Sequence, residues 1–422
     1  MSIRRFVRYR VNAGILQLTL GISVIISVLC ASMILLAYYN KLNYLRKDIN
    51  LKLRNNSLSG INYLMSSNRE SVPFNKPLQI DLFGDENDSV TLIRKPWGVF
   101  ELLVSVATQG AHDFSRAAIV AHVPDEKGKS ALYMPDNNAP VYLAGNVLLK
   151  GQVYASARKF SSGYIDGKDY KRDRFVYGDI KKSEATMPAL DTTLLWEAGS
   201  ILKGQKNSYL LYSTDRLPAR SSFSTPETNH YFSNQSIDLE DSIQGNLIIQ
   251  SAIKIRVTSQ SHLSNVILIA PEIDIDKGVI GSFQCFAERS ITVGAECFLQ
   301  FPSALVLIGK DNDSTIVIRR DAVVQGFAII QGHGTAIGSK GTFKIEDKGI
   351  FHGMAYINGS SDIQGELWGH LTTRSTQVKV ESTVYGNYIL DGEINASKRS
   401  PYLPATSLWG YSEEMIIAKW LP

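Results

Sequence analysis

The sequence predicts a mainly β protein carried on one N-terminal transmembrane α-helix with an amphipathic extension, followed by a single-stranded β-helix that holds a large insertion. Three observations carry this expectation. Residues 11–40 contain no charged side chain, and as a helix rising 1.5 Å per residue Ile15–Tyr39 is long enough to cross a bilayer core of roughly 30 Å. A phrase of apolar residue, any residue, glycine and strand recurs at Ile243-Gln244-Gly245, Val324-Gln325-Gly326, Phe351-His352-Gly353, Ile363-Gln364-Gly365 and Val384-Tyr385-Gly386. Triplets with apolar ends recur between them, at Ile253-Lys254-Ile255, Ile273-Asp274-Ile275, Ile291-Thr292-Val293, Ile316-Val317-Ile318, Phe343-Lys344-Ile345 and Val378-Lys379-Val380.

Both families return at roughly 18 to 28 residues for most intervals, the length of one coil in a stacked repeat protein. Period-two alternation puts the ends of each triplet on one face, so stacked coils build an apolar column, with the glycines at corners. A β-sandwich joined by hairpins is the competing architecture. Asn358-Gly359 is a hairpin signal of the kind a sandwich needs, but such pairs are too few for a meander.

Taken in order, residues 1–14 form a short basic leader with Arg4, Arg5, Arg8 and Arg10, expected on the cytoplasmic side. Residues 15–39 are the membrane span, with Tyr38 and Tyr39 where an interfacial aromatic belt belongs. Residues 40–66 read as an amphipathic helical stalk: Leu42, Leu45, Ile49, Leu53, Leu58, Ile61 and Leu64 keep helical spacing, and Pro73 lies beyond its end. Residues 78–156 are β-rich, and Val141–Tyr154 repeats the glycine phrase, as the first coil would. Residues 157–239, with Gly163, Gly167 and Gly178, read as an insertion of surface loops. The β-helix proper spans 240–398. Residues 399–422 carry Tyr402, Trp409, Tyr411 and Trp420 and form an aromatic cap over the last coil, with Ser412 opening a short helix.

A chain of 422 residues has room for two domains and a sizeable core. Its net charge of +4 is local: residues 1–54 hold nine Lys or Arg against Asp48, which leaves 35 basic and 39 acidic groups beyond them. That distribution excludes a basic nucleic-acid footprint. The Arg leader and the set Lys41, Arg46, Lys47, Lys52 and Arg54 balance across the span; the short leader is expected inside and the large domain outside. Of three cysteines, Cys30 lies in the span, while Cys285 and Cys297 are either a disulfide pair in an oxidising compartment or two free buried thiols.

The leader ends at Gly14, is free of acids and is followed directly by Ile15 and a long apolar helix that turns amphipathic. In this it resembles the leaders of type IV prepilins and of minor pseudopilins of type II secretion. The resemblance covers roughly the first 65 residues. It implies cleavage between Gly14 and Ile15, an uncut signal anchor being the alternative. Members usually carry Glu five residues into the mature helix, where this chain has Thr19. The C-terminal repeats resemble, in architecture only, those of the polymer-forming bactofilins.

Motifs for chemistry are scarce. There is no phosphate-binding glycine loop, no His-Glu-x-x-His and no Cys-x-x-Cys, and Gly332-His333-Gly334 lacks the surroundings of a nucleotide site. His333, His352 and His370 are one coil apart and are a candidate metal column. Asp321, Glu346, Asp347, Asp362 and Glu366 are candidates for an acid pair acting on a glycan. Neither set has a partner fixed by spacing, so no catalytic residue, cofactor or metal is assigned. The function expected is structural or assembly-related, in a single-pass protein of a bacterial cytoplasmic membrane with its large domain on the periplasmic or extracellular side. Expected partners are the lipid bilayer and other envelope or pilin-like proteins, with no nucleic acid. A membrane-tethered domain that binds or cleaves polysaccharide is the rival reading.

Overall fold

The protein is described from a computed structural model over residues 13–84, 88–191, 193–202, 210–213, 217–225, 227–308, 314–331, 341–409 and 414–421. It is mainly β, with one long N-terminal helix. Helix α1 runs Ala13–Ser66, and its two halves differ in surroundings. From Ile15 to Tyr39 the large side chains stand bare, whereas Leu53, Ile61 and Leu64 are buried. What covers the second half is an antiparallel sheet of β1 (Leu78–Ile80), β2 (Asp88–Trp97), β3 (Phe100–Gln109) and β4 (His112–His122), with the C-terminal strand Met415–Leu421 added beside β4.

Alternation along β3 explains how one sheet serves two layers. Leu103 and Ala107 face α1 together with Val90, Leu92 and Val120, while Phe100, Leu102 and Val104 face the opposite way. Gly60 lies where the helix comes nearest: a Cβ there would stand 2.2 Å from Ser105 Oγ and 2.8 Å from a Leu92 methyl. At the helix end the buried Arg94 donates to the carbonyls of Leu64 (2.6 Å) and Ser67 (2.9 Å) and to Glu101 (2.6 Å). A cation thus meets the negative end of the helix dipole and its unpaired carbonyls. Arg69 joins the same Glu101 and reaches Asp191 (2.9 Å), whose other oxygen accepts from the Thr193 amide (3.0 Å) at the start of α2 (Thr193–Leu202).

The second layer of the sheet rests on a closed arrangement of parallel strands, inserted between β4 and the C-terminal strand. Three ladders run through it. The first passes through Ile243, Leu263, Leu299, Val324, Phe351 and Leu367, the second through Ile249, Leu268, Cys285, Leu305, Ala328, Ala355 and Leu371, and the third through Ile255, Ile273, Ile291, Ile316 and Phe343. Inward residues of the three meet in one apolar core. In the second ladder the residues between them, such as Ile267, Ile269, Phe286, Phe327 and Ile329, point outward and are buried against Trp97, Phe100, Val104 and α2. Burial on both faces is why this ladder reads as unbroken apolar runs.

Gln284 joins the two layers. Its side-chain amide accepts from Val99 N–H (2.9 Å) and donates to Trp97 C=O (3.0 Å), pairing with the β2–β3 turn as a strand would. Gly98, at φ +62°, leaves the room: a Cβ would lie 2.0 Å from Gln284 Oε1. Gln284→Met would strip both buried turn groups of their partner, and a loss of about 2–3 kcal/mol is expected in denaturant unfolding of the full chain in detergent.

Several expectations need correction. Val141–Tyr154 is not a first coil: Leu148–Lys150 pairs with Glu393–Asn395 and Val153–Ala155 with Leu132–Tyr133, which pairs with Leu371–Thr372, so the segment lies beyond the last coils. Residues 157–239 are not only loops. Ile180–Lys182 pairs with Val153–Ala155 at one end, and Leu210–Ser213, Thr228–Ser233 and Ile237–Leu239 add rungs at the other, so the stack starts before 240. Polar residues such as Asn229 and His230 hid these rungs from a search for aliphatic runs.

Residues 399–422 do not cap the stack. Met415–Leu421 is a strand of the antiparallel sheet, because its apolar side completes the layer against β4; Tyr411 and the expected N-cap Ser412 lie outside the described residues. The glycine register differs near Gly365, since Gly353 stands opposite Gly369. Val378 is not in the third ladder, where Ser361 follows Phe343; Gln377–Val380 instead pairs antiparallel with Thr383–Gly386. Ile253 is exposed, and Ile255 with Val257 forms the inward pair. Asn358-Gly359 runs inside the strand Ile350–Ile363, while Asp166-Gly167 turns a short hairpin with φ +49° and +72°.

Candidate functional site

The largest uncovered feature is the first half of α1. Gly14–Ser66 contains a stretch long and apolar enough to cross a membrane, and that stretch has no residue buried by the rest of the chain. Four of its hydroxyls are satisfied within the helix: those of Thr19, Ser23, Ser27 and Ser32 donate to carbonyls three or four residues earlier. This removes their need for another partner in an apolar medium. Gly14 and Ile15 lie in the exposed first turns, Ile15 being 58 % exposed. Residues 1–12 of the leader lie outside the described residues. Past the span, Tyr44, Leu51 and Leu58 repeat at seven-residue steps and stay exposed.

All three cysteines are free thiols, Cys30 exposed on α1 and Cys285 and Cys297 buried. Cys285 points into the stack core, where burial pushes its thiol up, and Cys297 donates to the Asp276 carbonyl (2.9 Å). Both side chains belong to the same apolar core, and in the structure they are free rather than joined.

Of the three histidines of the candidate column, two lie among the described residues. His333 lies outside the described residues. The Nε2 of His352 accepts from Ser400 N–H (3.0 Å), with the ring edge-on to Trp368. His370, fully enclosed, donates from Nδ1 to the Ser130 carbonyl (2.9 Å) and accepts at Nε2 from Thr372 Oγ1 (2.7 Å), so one ring nitrogen ties Ser130 to the strand Glu366–Val380 and the other is satisfied within that strand. Burial pushes His370 down to about 4, against the Ser130 bond that raises it. A histidine in the unfolded chain titrates near 6.5. Between those values the unfolded state holds more protons, so stability is full above about pH 6.5 and falls as pH drops through about 4. Urea unfolding across that window should show this slope, and His370→Gln should make it shallower while His230, also pushed down to about 4 by burial, retains its share.

Of the candidate acids, Asp321 occupies a left-handed turn at φ +59°. Glu346 pairs with Arg319 (2.9 Å), Asp347 with Arg320 (2.8 Å) and Glu366 with Lys398 (2.7 Å). Asp362 is almost fully enclosed; burial pushes its carboxyl up, against the bond from Gln364 Nε2 (3.0 Å) that lowers it. Glu346, Asp347 and Glu366 thus each pair with a cation rather than with another carboxylate. Two features escaped the sequence reading: the Arg94–Glu101–Arg69 cluster, whose charges carry no motif, and a cleft of about 520 Å³ beside Lys168, Lys379 and Asp391.

No family model matches the sequence, and no curated protein matches it. Among solved structures, the chain is similar to the crystal structure of the competence-associated pilin ComZ from Thermus thermophilus, with 11 % identity over 79 % of this chain and 86 % of that chain and a TM-score of 0.25. So loose a likeness carries neither fold nor role.

Proposed function

We propose that the chain is a pilin-like, membrane-anchored subunit that carries a rigid β-helical domain into an assembly of similar subunits. The observation that carries this reading is the division of α1. One half is apolar and bare, and the other is fixed to an antiparallel sheet by Leu53, Ile61, Leu64 and the Arg94 cap. A helix so divided is suited to wait in a bilayer and then pack among like helices while its folded domain stays in water. The leader ending at Gly14 before Ile15 supports the same reading, with processing between them.

In this proposal the three parallel ladders are one continuous winding, a single-stranded β-helix whose rungs resemble bactofilin coils only in outline. The short Lys181 and Lys182 edge at one end discourages further strand addition there. The role is structural, without catalysis. The membrane is the bacterial cytoplasmic membrane, the β domain lies on its outer side, and the partners are lipid and other pilin-like or envelope proteins.

Cysteines introduced for Ile22 and Leu36 on the bare half, in a chain also carrying Cys30→Ser, test it in the producing cell. Oxidation in intact membranes should give dimers or larger adducts through these positions. A chain that remains wholly monomeric, with α1 extractable at high pH without detergent, would defeat the reading.

A further inference from the structure

We propose that the cleft of about 520 Å³ beside the last coils is a saccharide-binding site. This goes beyond the assembly role and does not depend on it. The volume falls in the roughly 300–1,000 Å³ range of small-molecule sites. It is lined by the apolar Val380 and Leu390 and by both acceptors and donors: Asp166, Asp347 and Asp391 with Lys168, Lys379 and the Gln364 amide.

The polar groups are held in place before any ligand arrives. Lys168 pairs with Asp391 (2.7 Å), whose other oxygen accepts from Asn146 N–H (2.9 Å); Asp347 pairs with Arg320 (2.8 Å), and Gln364 is fixed by the enclosed Asp362 (3.0 Å). Such mixed pairs answer hydroxyl groups, which donate and accept together. Carboxylates outnumber ammonium groups on the walls, which disfavours phosphate or other anions. Among the described residues no cluster of metal-ligating side chains occurs.

Tyrosines lie next to the lining residues along two strands, Tyr388 two positions before Leu390 and Tyr385 opposite Val378, two positions before Val380. Tyr388 begins the strand that ends at Leu390, and its ring stacks on Tyr142 at 4.9 Å between centroids, 21° from parallel. Tyr385 stands edge-on to Tyr388 at 5.9 Å and is itself exposed. The hairpin bearing Asp166 and Lys168 can back onto this pair because residue 163 is glycine; a Cβ there would lie 2.8 Å from Tyr388 and 3.1 Å from Tyr142. A flat ring face beside paired donors and acceptors matches a pyranose, which offers C–H groups on its face and hydroxyls at its rim.

The full chain in detergent is titrated with chitohexaose, cellohexaose and maltohexaose, followed by saturation-transfer NMR and calorimetry. At least one should bind saturably, Tyr385→Ala and Gln364→Ala should each weaken it by about tenfold or more, equivalent to 1.4 kcal/mol, and Trp420→Ala on the antiparallel sheet should leave it unchanged. Absence of binding by all three glycans at millimolar concentration would overturn the proposal. So would binding that Tyr385→Ala leaves intact.

Discussion

Gly353→Ala is expected to destroy the cooperative fold of the parallel stack, with a loss above about 4 kcal/mol. Ser303, Gly326, Gly353 and Gly369 stand in register on successive parallel strands. A Cβ on Gly353 would lie 1.8 Å from the Gly326 carbonyl oxygen, and one on Gly326 would lie 1.9 Å from that of Ser303. The obstacle is backbone that is itself hydrogen-bonded in the ladder, so no rotamer change relieves it, and moving one coil moves its neighbours. Gly386 supplies the contrast. It belongs to the same sequence phrase, but a Cβ there would meet nothing within 4 Å, so Gly386→Ala should stay within about 0.5 kcal/mol of the parent. Denaturant unfolding followed by circular dichroism on the two variants separates a packed corner from an exposed one.

Arg94→Met is the second large effect, expected at about 3–5 kcal/mol because a buried pair loses one member. The change takes the donor from Leu64 and Ser67 and leaves Glu101 with Arg69 alone. Arg94→Lys should recover only part of the loss, since an ammonium cannot reproduce the fork that reaches helix end and carboxylate together. Hydrogen exchange should report the consequence for α1: amides near Ile61 and Leu64 become less protected, while those of the parallel strands keep their rates. Uniform loss of protection through both layers would contradict the assignment of Arg94 to the helix junction.

The features legible in the sequence were those whose cause is local. A charge-free run before a helical stripe marked α1, which ends at Ser66 as the position of Pro73 suggested. Triplets such as Ile273-Asp274-Ile275 and Ile291-Thr292-Val293 fall in register in the third ladder. Other features depend on distant partners. Nothing near Met415 announces pairing with His122, and the rung at Ser361–Ile363 has an apolar residue at one end only, where its neighbours have two. Gly365 and Gly369 are both tight corners, a Cβ lying 2.3 Å from the Gly349 carbonyl oxygen at the first and 2.0 Å from that of Gly353 at the second, and only the strand register sets Gly369 opposite Gly353. Of the candidate site, Gly14 and Ile15 were legible as a motif. The cleft was not, because Lys168, Gln364 and Asp391 come from three separate stretches that meet only when the incoming segment lies against the last coils.

The intact mass of the chain purified from membranes of a host that makes a prepilin peptidase bears most directly on the pilin-like role. A chain beginning at Ile15, lacking residues 1–14, is the expected result, with Gly14→Val retaining the leader. A mature chain that still begins at Met1 in that host would contradict it.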